Sequence, residues 1–195
     1  MPRPLPQIRI QHGLPVELRT AAAALYWRHF GAQLLPLPAR HRRGMALVRA
    51  ALRADHALVA LSPQGRLIGI AGFRDAQGGL LATDPHSFRA VWGGTRGRLC
   101  HLSTGLYRAG PQTEDLVIDG IAIHPGWRRQ GIARALVRAA ADHARARGHN
   151  ALRAEVAAGN PEALAAWRAM GFSRQSRHRL GWPWSRPAHV LRLTL

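Results

Sequence analysis

Hydrophobic and polar positions along the chain change period several times. Residues 7–11 alternate apolar and polar side chains, which predicts a short first strand. Over residues 14–30 the spacing becomes helical, with Val16, Leu18, Ala22, Leu25, Tyr26 and Phe30 near one face and Gly31 as the expected stop. Residues 34–38 carry two prolines and read as a connector. A second helix is predicted over residues 39–54, with Met45, Val48 and Leu52 inward and Arg42, Arg49 and Arg53 outward. Two short apolar runs, 57–61 and 66–73, flank the turn Ser62-Pro63-Gln64-Gly65 and predict a β-hairpin.

Residues 75–113 form a connection too long for a plain loop. Two helical pieces are expected in it, 87–92 and 96–107, the second with Leu99, Leu102 and Leu106 on one side. This insertion reads either as a lid or ligand-binding insertion or as a peripheral helical pair covering a sheet face. Residues 116–123 are almost continuously apolar, as in a strand buried on both faces. Residues 130–148 form a strong amphipathic helix, with Ile132, Leu136, Val137, Ala140 and Ala144 as its apolar stripe. A strand over 151–157 follows. Asn160-Pro161 then supplies an N-cap and a first-turn proline for a helix ending at Gly171. Strands over 172–180 and 188–195 close the chain, joined across Gly181-Trp182-Pro183-Trp184.

The junction of the 116–123 strand with the following helix, His124-Pro125-Gly126-Trp127-Arg128-Arg129-Gln130-Gly131-Ile132-Ala133, carries the clearest chemistry. The amides of Arg129 to Ala133 begin a helix, so they point outward without intrahelical partners. With the helix dipole they suit a phosphate, Gly131 allows close backbone approach, and Arg128 and Arg129 add charge-assisted contacts. The Gly-Lys-Ser/Thr ending of a nucleoside-triphosphate loop is absent, and the glycine spacing is not that of a dinucleotide fingerprint.

Composition changes this picture in two ways. At 195 residues and 47% hydrophobic, the chain is long and apolar enough for one domain with a real core. All 28 Lys+Arg residues are arginine, against 10 Asp+Glu, for a formal charge of +18. That excess attracts anions, RNA or a phosphorylated ligand among them, and predicts weak, salt-sensitive, non-specific nucleic-acid binding. A nucleotide-composition bias toward Arg, Ala, Gly and Pro codons would produce the same excess. The single cysteine, Cys100, has no intramolecular partner for a disulfide, and the scattered histidines predict no metal site. No apolar run is long enough for a membrane span, and residues 1–6 lack the apolar core of a signal peptide, so a cytoplasmic protein is expected.

Together, Ile121-Ala122-Ile123-His124-Pro125, Arg128-Arg129-Gln130-Gly131-Ile132-Ala133, and downstream Asn160, Ala163 and Met170-Gly171-Phe172 resemble the acyl-CoA-binding core of the GNAT superfamily of N-acetyltransferases. The resemblance covers about a third of the chain closely. It implies an α/β (α+β) fold, with a mixed, mostly antiparallel central sheet flanked by helices and with splayed central strands, over residues 1–195. It implies acetyl-CoA as cosubstrate and no metal. Cofactor contacts would come from Ile121, Ile123, Arg128, Arg129, Gln130, Gly131, Ile132, Ala133 and Asn160, although Asn160 serves equally as a helix cap.

The implied reaction is direct attack of an amine on the acyl thioester, with a small-molecule or protein amine as acceptor. Asp119, which strand alternation places on one face with Val117 and Ile121, is the candidate base. Glu114, Asp115 and His124 are lesser candidates. Family members commonly carry a tyrosine acid where this chain has Trp167, whose indole only donates. Trp167 therefore either orients the thioester by packing or leaves proton delivery to another group. Tyr26, Trp27, Phe30 and Tyr107 are candidate acceptor walls. A non-catalytic acyl-CoA sensor and an RNA- or ribosome-associated acetyltransferase are the alternatives, and either a monomer or a homodimer is compatible with the sequence.

Overall fold

The computed structural model describes residues 7–36, 38–82 and 84–195. The expectation for residues 1–6, and the parts of the connector and insertion at Leu37 and Thr83, fall outside them. The chain runs β1 (Arg9–His12), α1 (Arg19–Leu34), α2 (His41–Ala51), β2 (Ala57–Leu61), β3 (Leu67–Arg74), α3 (Pro85–Trp92), α4 (Gly94–Ser103), β4 (Leu116–Ile123), α5 (Ile132–Ala146), β5 (Ala151–Ala157), α6 (Pro161–Ala169), β6 (Ser173–His178) and β7 (Ala188–Thr194). The seven strands form one sheet in the order β1-β2-β3-β4-β5-β7-β6. Only β4 and β5 pair in parallel.

Alternation along β2 and β3, interrupted by a bulge at Ile68, feeds two cores. Leu58, Ala60, Ile68, Ala71 and Phe73 face α5, where Leu136, Val137 and Ala140 meet them. Val59, Leu61 and Ile70 face α1 to α3, where Tyr26, Val48, Leu80 and Phe88 cover them. The predicted α5 stripe is wholly buried. The hairpin is present, closed by Ser62 N–H to Arg66 O at 2.9 Å.

Three expectations are corrected. The first helix starts at Arg19, not residue 14, because Gly13 and Leu14 donate their N–H groups to Ala57 O and Ala54 O and so extend the sheet edge. Val16 is consequently 84% exposed. Gly31 lies inside α1 instead of ending it. The Leu99, Leu102 and Leu106 stripe faces outward, at 63%, 64% and 54% exposure. Helix α4 packs on α3 through Gly97, where a Cβ would lie 2.8 Å from Arg89 Cα and the Phe88 carbonyl oxygen. That backbone contact, not the leucine stripe, decides the inward face.

The α5 side carries a ring stack with a pH consequence. His143 lies on His12 at 4.5 Å and against Phe73 at 4.8 Å, and its Nε2 is buried without a hydrogen bond. Burial, then His12 and Arg147, hold its pKa below the ordinary histidine value, with Asp75 opposing. A histidine depressed on folding supports the fold above its unfolded pKa, and that support is lost as pH falls through the folded value. The melting temperature is therefore expected to drop between about pH 7 and about pH 5. His143→Phe, which keeps the stack, should show a smaller drop; an unchanged drop would assign the loss to other groups.

Candidate active site

Strand β4 is where the sheet opens. Its parallel pairing with β5 stops at Ile118↔Ala154, although both strands continue. On the other side, Gly72 pairs with Gly120 and Phe73 with Ile118, so Asp119 is the extra residue of a β-bulge. The bulge overturns the simple alternation: Ile118 and Ile121 both pack into the α5-side core, while Asp119 points to the opposite side, beneath Leu80. Beyond Ile118 the β5-facing edge of β4 has no strand partner, which gives the expected splay. Gly120 is required by a close approach, since a Cβ there would sit 2.7 Å from the Phe30 ring.

At the open end, Pro125–Trp127 form a single 3-10 turn, and His124 Nδ1 accepts from Gly126 N–H at 3.3 Å. His124 thus shapes the turn. Arg129 is left-handed with φ 58°, and Gly131 is left-handed with φ 78°. These two reversals turn the chain into α5. Among the described residues, no backbone carbonyl accepts from the N–H groups of Arg129 to Ala133. The predicted phosphate residues Arg128, Arg129, Gln130, Gly131, Ile132 and Ala133 therefore come together as one donor-rich turn. Arg128 also donates from Nη2 to His29 Nε2 at 2.8 Å, and His29 Nδ1 contacts Leu25 O at 2.9 Å. This tether from the turn to α1 spans 99 positions of sequence, and no local pattern announces it.

Where β4 and β5 part, charged and phenolic groups gather. Asp119 Oδ1 accepts from Arg74 Nε at 3.0 Å, and Oδ2 accepts from Leu80 N–H at 3.4 Å. Glu155 Oε1 accepts from Arg153 Nη2 at 2.6 Å, and its Oε2 lies 3.8 Å from Arg74 Nη2. Arg153 is 5% exposed and also donates to Pro111 O. Burial works against the Arg74 cation, but Asp119 and then Glu155 outweigh it and hold its pKa above the usual arginine value. Tyr26 is almost fully buried; burial, then Asp119 and Tyr107, push its phenol far above the ordinary range. Tyr107 is half exposed as a residue, but partial desolvation of its phenol, then Glu155 and Asp119, raise its pKa, with Arg74 opposing. Its segment is stitched to the β6–β7 loop by paired Arg108–Gly181 backbone bonds and by the Tyr107–Trp182 contact at 5.2 Å.

Of the candidate walls, Tyr26, Phe30 and Tyr107 reach β4 or its charges, whereas Trp27 turns toward α2, between Gly31 and Gly44. Asp115 forms a two-point ion pair with Arg192, and the Glu114 carbonyl oxygen is bound by His149. Asn160 Oδ1 caps α6 by accepting from Ala163 N–H at 3.0 Å, which leaves its amide nitrogen as the group able to reach a ligand. Trp167 is 9% exposed and meets Phe172 edge-on at 4.8 Å in the α5-side core. Arg74, Arg153 and Glu155 were not singled out by the sequence reading. The signal available for two of them was a pair of charges two residues apart in the otherwise apolar strand Ala-Leu-Arg-Ala-Glu-Val-Ala. Among the described residues, no group of three or more His, Cys, Asp or Glu side chains is placed to hold a metal ion, and no helix is long and apolar enough to cross a membrane.

Comparison with known proteins agrees with this geometry. Residues 19–172 match the profile of the acetyltransferase (GNAT) family. The chain is 38% identical over 120 residues to a streptothricin acetyltransferase of Streptomyces lavendulae, a match covering 62% of this chain and 59% of that protein. It thus spans about three-fifths of that relative's length. An N-acetyltransferase structure from Staphylococcus aureus Mu50 superposes with a TM-score of 0.65 at 16% identity, covering 95% of this chain and 100% of that one. The yncA protein of Salmonella typhimurium, solved with its cofactor acetyl-CoA, does so with a TM-score of 0.58 at 17% identity, covering 96% and 94%. At these identities the solved structures speak for the fold, and the family match speaks for descent. The chain belongs to the acetyltransferase (GNAT) family.

Proposed function

We propose that this chain transfers the acetyl group of acetyl-CoA to a primary amine, by direct attack of the amine nitrogen on the thioester carbonyl. The observation that carries the reading is the parting of β4 from β5 ahead of a turn in which, among the described residues, no backbone carbonyl accepts from the N–H groups of Arg129 to Ala133. A long, phosphate-headed thioester fits that arrangement. Its phosphates meet the amides of Arg129 to Ala133 and the Arg128 guanidinium, and its arm lies along the unpartnered edge at Ile121 and Ile123. A backbone N–H on that edge polarises the thioester carbonyl. The excess of arginine draws the anionic cosubstrate toward the surface, an attraction that salt weakens. Trp167 contributes packing beside the arm, and the departing thiolate takes its proton from water or from the attacking nitrogen.

Streptothricin, named for the Streptomyces relative, is the first acceptor to assay, within a panel of primary amines. Acetyl-CoA alone should raise the melting temperature, and free thiol should appear only when acetyl-CoA and an accepted amine are both present. A thermal shift with no amine-dependent thiol would favour a non-catalytic acyl-CoA sensor, the reading that Trp167 motivates. The absence of a shift with any short acyl-CoA would overturn both.

A further inference from the structure

We propose, building on the function just described, that Glu155 takes the proton from the acceptor amine and that Asp119, the carboxylate on the bulge, instead positions Arg74. Asp119 and Glu155 flank the point where the strands part, immediately after the last parallel pair, Ile118↔Ala154. Their commitments differ. Both Asp119 oxygens are used, one by Arg74 Nε and the other by Leu80 N–H. Backbone lies close to both carboxylates, since a Cβ on Gly79 would lie 2.6 Å from Asp119 Oδ2 and one on Gly110 would lie 1.9 Å from Glu155 Oε1, so the difference rests on the second oxygen of each. Glu155 commits only Oε1, to Arg153. Its Oε2 has Arg74 Nη2 at 3.8 Å, beyond hydrogen-bond distance, and so keeps room for an ammonium or for a bridging water.

The groups facing Glu155 are Arg153 on its own strand, Arg74 on β3, Asp119 on β4 and Tyr107 from the insertion; Tyr26 of α1 couples to Asp119 and Tyr107. Among the described residues neither tyrosine hydroxyl has a hydrogen-bond partner. Two carboxylates balanced by two guanidiniums make a site of little net charge. It does not trap the ammonium form, and a proton given to Glu155 can pass on to water.

The step balances as follows. The acceptor ammonium loses a proton to the Glu155 carboxylate, directly or through one water, and Glu155 later releases it to solvent. The neutral nitrogen then forms a bond to the thioester carbon. The carbon–sulfur bond breaks, and its electron pair leaves with the thiolate. The second nitrogen proton ends on that thiolate, so the products are amide, thiol and one free proton.

The test is the pH dependence of kcat/KM for the best amine of the panel, measured by thiol release. Glu155→Gln keeps the oxygen that Arg153 binds and removes the acceptor of the proton. At about pH 7 it should lose on the order of 100-fold, the scale of one general base. That deficit should close by about tenfold per pH unit upward, as free amine replaces ammonium in solution. Asp119→Asn should lower the melting temperature and impose a deficit that does not change with pH. Acetyl-CoA thermal shifts establish that each variant still binds cosubstrate. If Glu155→Gln does not, Glu155→Asp replaces it, expected to give a partial deficit with the parent pH profile. A closing deficit in Asp119→Asn, or a flat one in Glu155→Gln, would overturn the assignment. Parent protein that releases thiol with no amine would overturn the functional reading itself, a result distinct from either.

Discussion

Replacing Gly131 with glutamate is expected to abolish the stabilisation by acetyl-CoA while leaving the fold in place. Gly131 occupies a left-handed position, φ 78° and ψ 0°, at the start of α5. A side chain there costs about 1–2 kcal/mol of backbone strain. In a chain of this length that corresponds to a fall in melting temperature of roughly 2–8 °C. The effect on binding should be much larger. A carboxylate would sit among the amides of Arg129 to Ala133, where the cosubstrate phosphates belong, and would replace attraction by repulsion. The expected loss of affinity is on the order of 100-fold or more, about 2.7 kcal/mol. Gly131→Ala carries the strain without the charge and should retain most of the affinity. Equal thermal shifts in the glutamate variant and the parent would place the cosubstrate elsewhere.

This turn was legible because its signals are local. Pro125, the arginine pair and Gly131 lie within a few residues of each other, and the apolar stripe of α5 begins at the next position, Ile132. Asn160 and Pro161 announced α6 in the same way. The bulge at Asp119 was not legible. In Val-Ile-Asp-Gly-Ile-Ala-Ile both faces are apolar, so no broken alternation marks an extra residue. The misassigned face of Asp119 followed from that. Arg74 and Glu155 were hidden for another reason. Each is ordinary as a strand charge and acquires meaning only when β3, β4 and β5 lie side by side, bringing residues 74, 119 and 155 together. The α4 leucines misled because helical spacing reports which residues share a face, not which face is covered. Gly97 decided that through a backbone contact that periodicity does not encode.

The same blindness to close approach applies to Trp27, and there it yields the largest expected effect on stability. The resemblance, which implies an acceptor site at the first two helices, makes Trp27 a candidate wall. In the structure its indole is 9% exposed and fills a slot that two glycines leave open. A Cβ on Gly44 would lie 2.1 Å from ring atoms Cζ2 and Cη2, and one on Gly31 would lie 2.8 Å from the ring. Nothing at those distances relaxes by a small shift, because the ring is rigid and held between α1 and α2. Gly44→Leu must therefore expel the indole or part the helices, a loss of about 3 kcal/mol or more. The melting temperature should fall by about 6–12 °C. Helix α1 also carries Tyr26 and Phe30 to β4 and His29 to Arg128, so turnover should fall with stability. Trp27→Ala alone should likewise destabilise, by leaving the slot empty. Combined with Gly44→Leu it should recover part of the loss, since the leucine then has a space to enter. Strictly additive losses in the double variant would show that the two residues do not share the slot.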